Sequence, residues 1–427
     1  MIGFIGLSHL GIVYSLATAA KGLPVVGFDP RPGLSAALNA GQFPIAEPGL
    51  EDLFRAHGSH IRFSADINDL ASCELLFFSL DVPTDQANQS DLGPVRRLID
   101  QIAGHLAPSA PAVILCQVPP GFTRRLKADW LRRPNGWGGN LFYQVETLIF
   151  GSAVERALHP ERFIVGVESS HSPLPEAYAN WLSAFGCPVL TMRYESAELA
   201  KISINLFLVS TVATTNTLAG LCEKTGADWS EITPALRLDK RIGLHAYLNP
   251  GLGLAGGNLE RDLATAQALA CEYGTEAGVI EAWHRNSLYC RDWVLRKTHE
   301  LILSRKSNPV LAIWGLAYKP NTQSVKNSPA LALIESLKPF AKNVFDPQVK
   351  LETGNDDRLR QCSSAQEACG GADGLIIMTP WSEFAKMDPA QVKAEMAGNV
   401  LIDPYGVCNT HACIAAGFSY HRLGVST

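Results

Sequence analysis

The junction Gly6-Leu7-Ser8-His9-Leu10-Gly11 lies between an apolar run and an apolar helix, and it constrains the fold of this chain most. Residues 2–6 (IGFIG) read as a short buried strand running into a glycine turn. Residues 11–21 read as the helix that follows, and residues 24–28 (PVVGF) as a second strand ending at Asp29. A strand, a crossover helix and a strand make a βαβ unit, which forces its two strands parallel. Further strand candidates are Leu75–Phe78, Ala112–Leu115 and Phe163–Val165. They alternate with helical segments, so the expected class is α/β with a doubly wound parallel sheet.

The pattern recurs near Pro309. VLAIWG (310–315) reads as a strand, Pro329–Leu337 as a helix and NVFD (343–346) as the next strand, with GLIIM (374–378) and VLID (400–403) continuing the alternation. Two Rossmann-like sheets therefore flank a helix-rich middle, about 195–299. Its longest piece, Ser196–Lys224, has few breakers and reads as one long helix joining the halves. The expected division is 1–194, 195–300 and 301–427. Ile202 to Leu221 is apolar but carries Ser203, Asn205, Thr211, Thr214, Thr215, Asn216 and Thr217, too many polar groups for a bilayer span. The first twenty residues lack the basic start of a signal peptide and are broken by Gly3, Gly6 and Gly11.

Composition narrows the class further. Hydrophobic residues make up 47% and charged residues 18% of the 427, which excludes a disordered chain. The net charge of −5 excludes the broad basic footprint of a nucleic-acid binder. Ten cysteines are scattered without a CxxC pair or a Cys/His cluster, so neither a zinc site nor a disulfide framework is indicated. The expected setting is a reducing cytoplasm, with no metal, no nucleic acid and no membrane.

The glycine junction fits G-x-G-x-x-G with Ser8 in the middle glycine position. The first glycine permits the tight turn, and the last lets helix and strand pack closely. The middle one lets backbone approach a pyrophosphate at the helix start. Ser8 narrows that approach, though its hydroxyl can bond a phosphate. Asp29 stands where a carboxylate takes the ribose 2′-OH and repels a 2′-phosphate. Together these point to NAD; Arg31 nearby is the one feature that would suit NADP.

On this foundation the chain resembles the UDP-glucose/GDP-mannose dehydrogenases over nearly its whole length. The matching stretches include GLSHLGIV (6–13), GQFPIAEPGL (41–50), PPGF (119–122), HPERFIVG (159–166) and SAELAKISIN (196–205). RIG (241–243), WGLAYKPNT (314–322), Ser328-Pro329 and Thr379–Phe384 follow in order. The resemblance implies an enzyme that oxidises the C6 alcohol of a nucleotide sugar to a carboxylate with two NAD. It also implies a homodimer through the long helix and a C-terminal nucleotide-sugar domain. A β-hydroxyacid dehydrogenase also carries Lys and Asn four apart on a long helix, but the stretch WGLAYKPNT has no place there.

Lys201 and Asn205 share one helical face. Such a pair suits polarising an alcohol and stabilising the oxyanion left by hydride loss. The family places its catalytic Lys and Asn here. Glu146 matches the first acidic residue of its P-E-F-L segment and could accept the proton. Asp262 matches the Asp of its G-G-S-C-F-P-K-D loop. By the same resemblance Leu10, Val82, Gln117 and Lys326 join Gly6, Ser8, Gly11, Asp29 and Arg31 around the cofactor. Leu148, Arg241, Tyr247, Gly256 and Lys319 join Lys201 and Asn205 around the substrate, with Arg241 often supplied by the neighbouring subunit.

The chain departs from the family at the covalent step. Aligned on the loop Gly253–Asp262, the nucleophilic Cys falls on Asn258. That Cys would form a thiohemiacetal and then a thioester; an amide is a very poor nucleophile. Gln117 and Phe150 replace a Thr and a Glu that serve the same half-reaction, and Tyr405-Gly406 replaces a late Arg-Asn pair. Three readings follow. The first is a two-electron or redox-neutral oxidoreductase without a thioester. The second is a full four-electron dehydrogenase using Glu146 or Asp262 to hydrate the aldehyde. The third is an inactive nucleotide-sugar-binding homologue.

Overall fold

The structure, a computed structural model, describes residues 1–85, 88–107, 109–132, 139–169, 172–351 and 356–426. The chain divides into two compact units, Met1–Ile204 and Asn205–Thr427.

The first unit is built on an eight-stranded sheet: β1 (Ile2–Ile5), β2 (Val25–Phe28), β3 (Ile61–Ser64), β4 (Leu75–Phe78), β5 (Ala112–Ile114), β6 (Leu141–Gln144), β7 (Phe163–Val167) and β8 (Val189–Arg193). The strand order is β3-β2-β1-β4-β5-β6-β7-β8. The order reverses between β1 and β4, the crevice where such sheets bind ligands. Successive side chains point to opposite faces. Phe4, Leu75, Phe77 and Val113 enter one core with Tyr178 and Trp181, while Ile5, Leu76, Phe78 and Ile114 enter the other with Trp130 and Tyr194.

The sequence suggests a wholly parallel sheet, but β7 runs against β6. The connection between them holds only the short helix Ala153–Leu158, which packs on the first helix (His9–Ala20). It does not carry the chain across the sheet, so β7 enters from the opposite end.

The expected long helix spans Tyr194–Thr225, and the division between the units falls within it. It is long and apolar enough to cross a membrane by length and composition. Glu198, Lys201, Asn205, Thr215 and Asn216 are nevertheless buried along it, an arrangement suited to protein packing and costly in lipid. In the second unit Val209 of this helix packs with Leu254 and Leu263.

The second unit carries a six-stranded sheet of β9 (Val310–Trp314), β10 (Ala341–Phe345), β11 (Leu359–Gln361), β12 (Gly374–Ile377), β13 (Val400–Ile402) and β14 (Ser419–His421). Its order is β11-β10-β9-β12-β13-β14, and every neighbouring pair is parallel. It repeats the device of the first sheet. Gly6 (φ 93) and Gly315 (φ 92) both turn left-handed after the first strand. Asp29 accepts the Leu7 N–H at 2.8 Å, and Asp346 accepts those of Leu316 and Ala317 at 2.7 and 3.0 Å.

Candidate active site

The cofactor cradle belongs to the first unit. A Cβ on Gly11 would stand 2.0 Å from the Gly6 carbonyl oxygen, so only glycine lets the first helix close on the turn. Asp29 ends β2, buried, with both oxygens engaged. Arg31 donates to Oδ1 through Nε and to Oδ2 through Nη2, each at 2.8 Å. Burial alone would push this carboxyl up; the guanidinium fork and the Leu7 amide outweigh it and hold the group below its usual range. Ser8 caps the first helix, whose first turn carries no acidic residue. Val82 and Gln117 are buried. A glycine turn, a helix start and a strand-end Asp together fit a dinucleotide.

The same unit holds Lys201. Its Nζ lies 2.7 Å from Glu146 Oε1 and donates to the Glu146 carbonyl at 3.0 Å. The two side chains are 10% and 13% exposed, so neither is a solvated surface charge. Glu146 also accepts the N–H of the buried Leu148 at 3.0 Å. One turn before Lys201, the fully buried Glu198 accepts the N–H groups of Gly121 and Thr123 at 2.5 and 2.8 Å. It thereby fixes the long helix to the PPGF turn. The only sign of Glu198 in the sequence is its place three residues before Lys201, which puts it on the same flank of the helix. Phe150 lies against the His9 ring, centroids 4.2 Å apart.

In the second unit Asn205 Nδ2 donates to Asp262 Oδ2 at 2.5 Å, and both side chains are buried. Arg261 stands 3.6 Å from the other Asp262 oxygen. Asn258 is exposed and begins the helix Asn258–Tyr273, so residues 258–262 form a helical turn and not the loop expected. Gly256 (φ 90) donates to the Lys326 carbonyl at 3.1 Å and accepts from Asn327 Nδ2 at 2.8 Å. Asn327 also donates to Glu260. Burial pushes the Glu260 carboxyl up to about 6, against the pull of Asn327 and the charges of Lys326 and Arg291. Glu260 was not singled out from the sequence; its position two residues after Asn258 was the signal.

The remaining expected substrate residues are placed separately. Lys319 lies over the Tyr318 ring, 5.6 Å from its centroid. Arg241 is exposed and forks onto Asp239 at 3.0 and 2.6 Å. Tyr247 is exposed, and its carbonyl accepts from Thr215 Oγ1 at 3.0 Å.

The glycine-turn cradle and the ion-paired lysine of the first unit fit an NAD-linked oxidoreductase acting on CH–OH. Sequence comparison gives the family. Three domain models of the UDP-glucose/GDP-mannose dehydrogenase family match: its NAD binding domain over residues 1–182, its central domain over 195–287 and its UDP binding domain over 312–410. The chain belongs to this family. It is 29% identical to the UDP-glucose 6-dehydrogenase of Rickettsia bellii, over 99% of each chain. It is 27% identical to that of Pseudomonas aeruginosa, over 98% of this chain and 96% of the relative. Among solved structures, a UDP-glucose dehydrogenase from Pyrobaculum islandicum aligns with TM-score 0.85 and 25% identity, covering 100% of this chain and 98% of that one.

Proposed function

We propose that the chain oxidises an alcohol of a nucleotide-linked sugar by two electrons, to an aldehyde or ketone, and does not proceed through a thioester. A redox-neutral variant, in which the hydride is returned, uses the same residues. The observation that carries this reading is the contrast at the helix. Lys201 and Asn205 each keep a carboxylate partner, whereas an amide, Asn258, stands where the family nucleophile belongs.

NAD, when bound, accepts the hydride from the alcohol carbon. The Lys201 ammonium stabilises the developing alkoxide, and Glu146 takes the hydroxyl proton directly or through a water. In the second unit Asn205 donates to Asp262. No step in this scheme needs a nucleophile at position 258. The test is electron counting with a panel of nucleotide sugars. One NADH per sugar, with efficient capture of product by hydroxylamine, is expected. Two NADH per sugar with an acid product would overturn it.

One observation favours the four-electron alternative. Glu260, with its carboxyl near 6, follows Asn258 by two residues and could assist hydration of an aldehyde. The trapping experiment separates the two readings, because an aldehyde oxidised in place escapes hydroxylamine.

The proposal includes a cytoplasmic homodimer and the three-part division 1–194, 195–300 and 301–427. Phe207 and Leu221 of the long helix are 76% and 54% exposed, a cost an isolated chain would not be expected to carry. F207R is expected to shift sedimentation from dimer to monomer. A wild-type monomer would overturn the assignment.

A further inference from the structure

The start of the first helix is where this chain departs from a plain dinucleotide cradle. Its backbone amides make an anion site, and its own first turn offers no carboxylate. One arrives from elsewhere. Asp81, just beyond β4, places Oδ2 3.3 Å from the Leu10 N–H. Its own N–H donates to Ser8 Oγ at 2.8 Å, and the Ser8 hydroxyl donates to the Ser79 carbonyl at 3.3 Å. Ser8 and Asp81 thus tie the glycine turn to the end of β4 and set a carboxylate on an amide that a pyrophosphate would use. His9, the next residue of the turn, is already bonded through Nε2 to Glu47 at 2.8 Å. Asp81 is exposed as a residue, while its carboxyl, held by Ser8 and the Leu10 amide, is pushed up by burial.

We propose that Asp81 is an internal surrogate for the cofactor's pyrophosphate, competing with NAD for the Leu10 amide and thereby setting the affinity of the cradle. The proposal rests on the NAD reading of this domain. Two anions at one helix start repel each other, and only one can use a given N–H. NAD must therefore displace the Asp81 carboxylate and then bind beside it. The role is one of positioning and affinity, since Asp81 takes no part in moving the hydride.

D81N keeps the side chain's size and its acceptor but removes the charge, and D81G removes the competitor altogether. Dissociation constants are measured by calorimetry for NAD, for ADP-ribose, which retains the pyrophosphate, and for adenosine, which has no phosphate. D81N is expected to tighten NAD and ADP-ribose about tenfold, as the loss of one unfavourable charge at a helix end allows. D81G should tighten both at least as much, and adenosine should be unchanged. Raising salt should narrow the difference between wild type and D81N. Unchanged or weaker NAD binding in both variants would overturn the proposal, as would equal tightening of adenosine. Failure of wild type and variants alike to bind NAD would overturn it together with the cofactor reading, so the two failures are told apart.

Discussion

On the proposed reading, Lys201 and Asn258 stand at positions serving opposite halves of the family's chemistry, and only the first keeps its expected residue type. The groups proposed for alcohol oxidation are each held by a partner of their own. Glu146 pairs with Lys201, Glu198 fixes its helix to the PPGF turn, and Asn205 follows on the same face with Asp262 as its partner. On the same reading Asn258 stands where the family's thiol would act, and the turn before it is held as a frame by hydrogen bonds among Gly256, Lys326, Asn327 and Glu260. The difference teaches that the frame and the nucleophile are separable. A frame kept without its nucleophile suits binding and orienting a sugar nucleotide more than it suits covalent catalysis.

The largest break in this comparison comes from the lysine. K201A leaves Glu146 buried without its cation and removes the charge that stabilises the alkoxide. NADH formation is expected to fall by about a thousandfold, since one oxyanion donor alone is worth about 10²–10³ and the ammonium also partners the proton acceptor. Steady-state absorbance of NADH checks this. Activity within about tenfold of wild type would move the oxyanion site elsewhere.

How much of this was legible in the sequence follows from how local each signal is. The strands were readable because a strand covered on both faces is a continuous apolar run, as in Leu75–Phe78 and Val310–Trp314. Lys201 and Asn205 were readable because helical spacing alone puts them together. The reversal of β7 was not, because strand direction depends on where the connecting helix packs. Asp81 and Glu260 were missed for a related reason. Each acquires its meaning from a partner distant in sequence, the Leu10 amide and Asn327 respectively. The glycines before Asn258 dominate the local pattern and suggest a loop there. The helix that begins there is set by residues after it, Leu259 to Tyr273.

Restoring the thiol sharpens the comparison with an intermediate effect. N258C places a nucleophile on the retained frame, at the start of a helix that favours the thiolate. A second NADH per sugar is expected, but as a burst limited to about one turnover, because Gln117 and Phe150 still replace groups that serve thioester hydrolysis. Rapid-mixing absorbance together with intact mass would record the burst and the covalent adduct. Free turnover to the acid would mean that Gln117 and Phe150 are no obstacle. No adduct would mean that position 258 does not face the sugar.

The smallest effect concerns the carboxylate beside the lost thiol. Burial pushes Glu260 from 4.5 up to about 6. A carboxyl raised on folding holds its proton more tightly in the folded chain, so its contribution is fully present below about 4.5 and is lost as pH rises through 6. Above that, ionised Glu260 costs at most about 1 kcal/mol once the shift is discounted for solvent screening. E260Q keeps an oxygen for Asn327 and removes the charge. Thermal melts are expected to show E260Q a few degrees more stable than wild type at pH 7.5, with the gap closing toward pH 4.5. The sign matters more than the size. If E260Q melts lower at pH 7.5, the ionised carboxylate is instead a net stabiliser of the retained frame through Asn327 and Lys326.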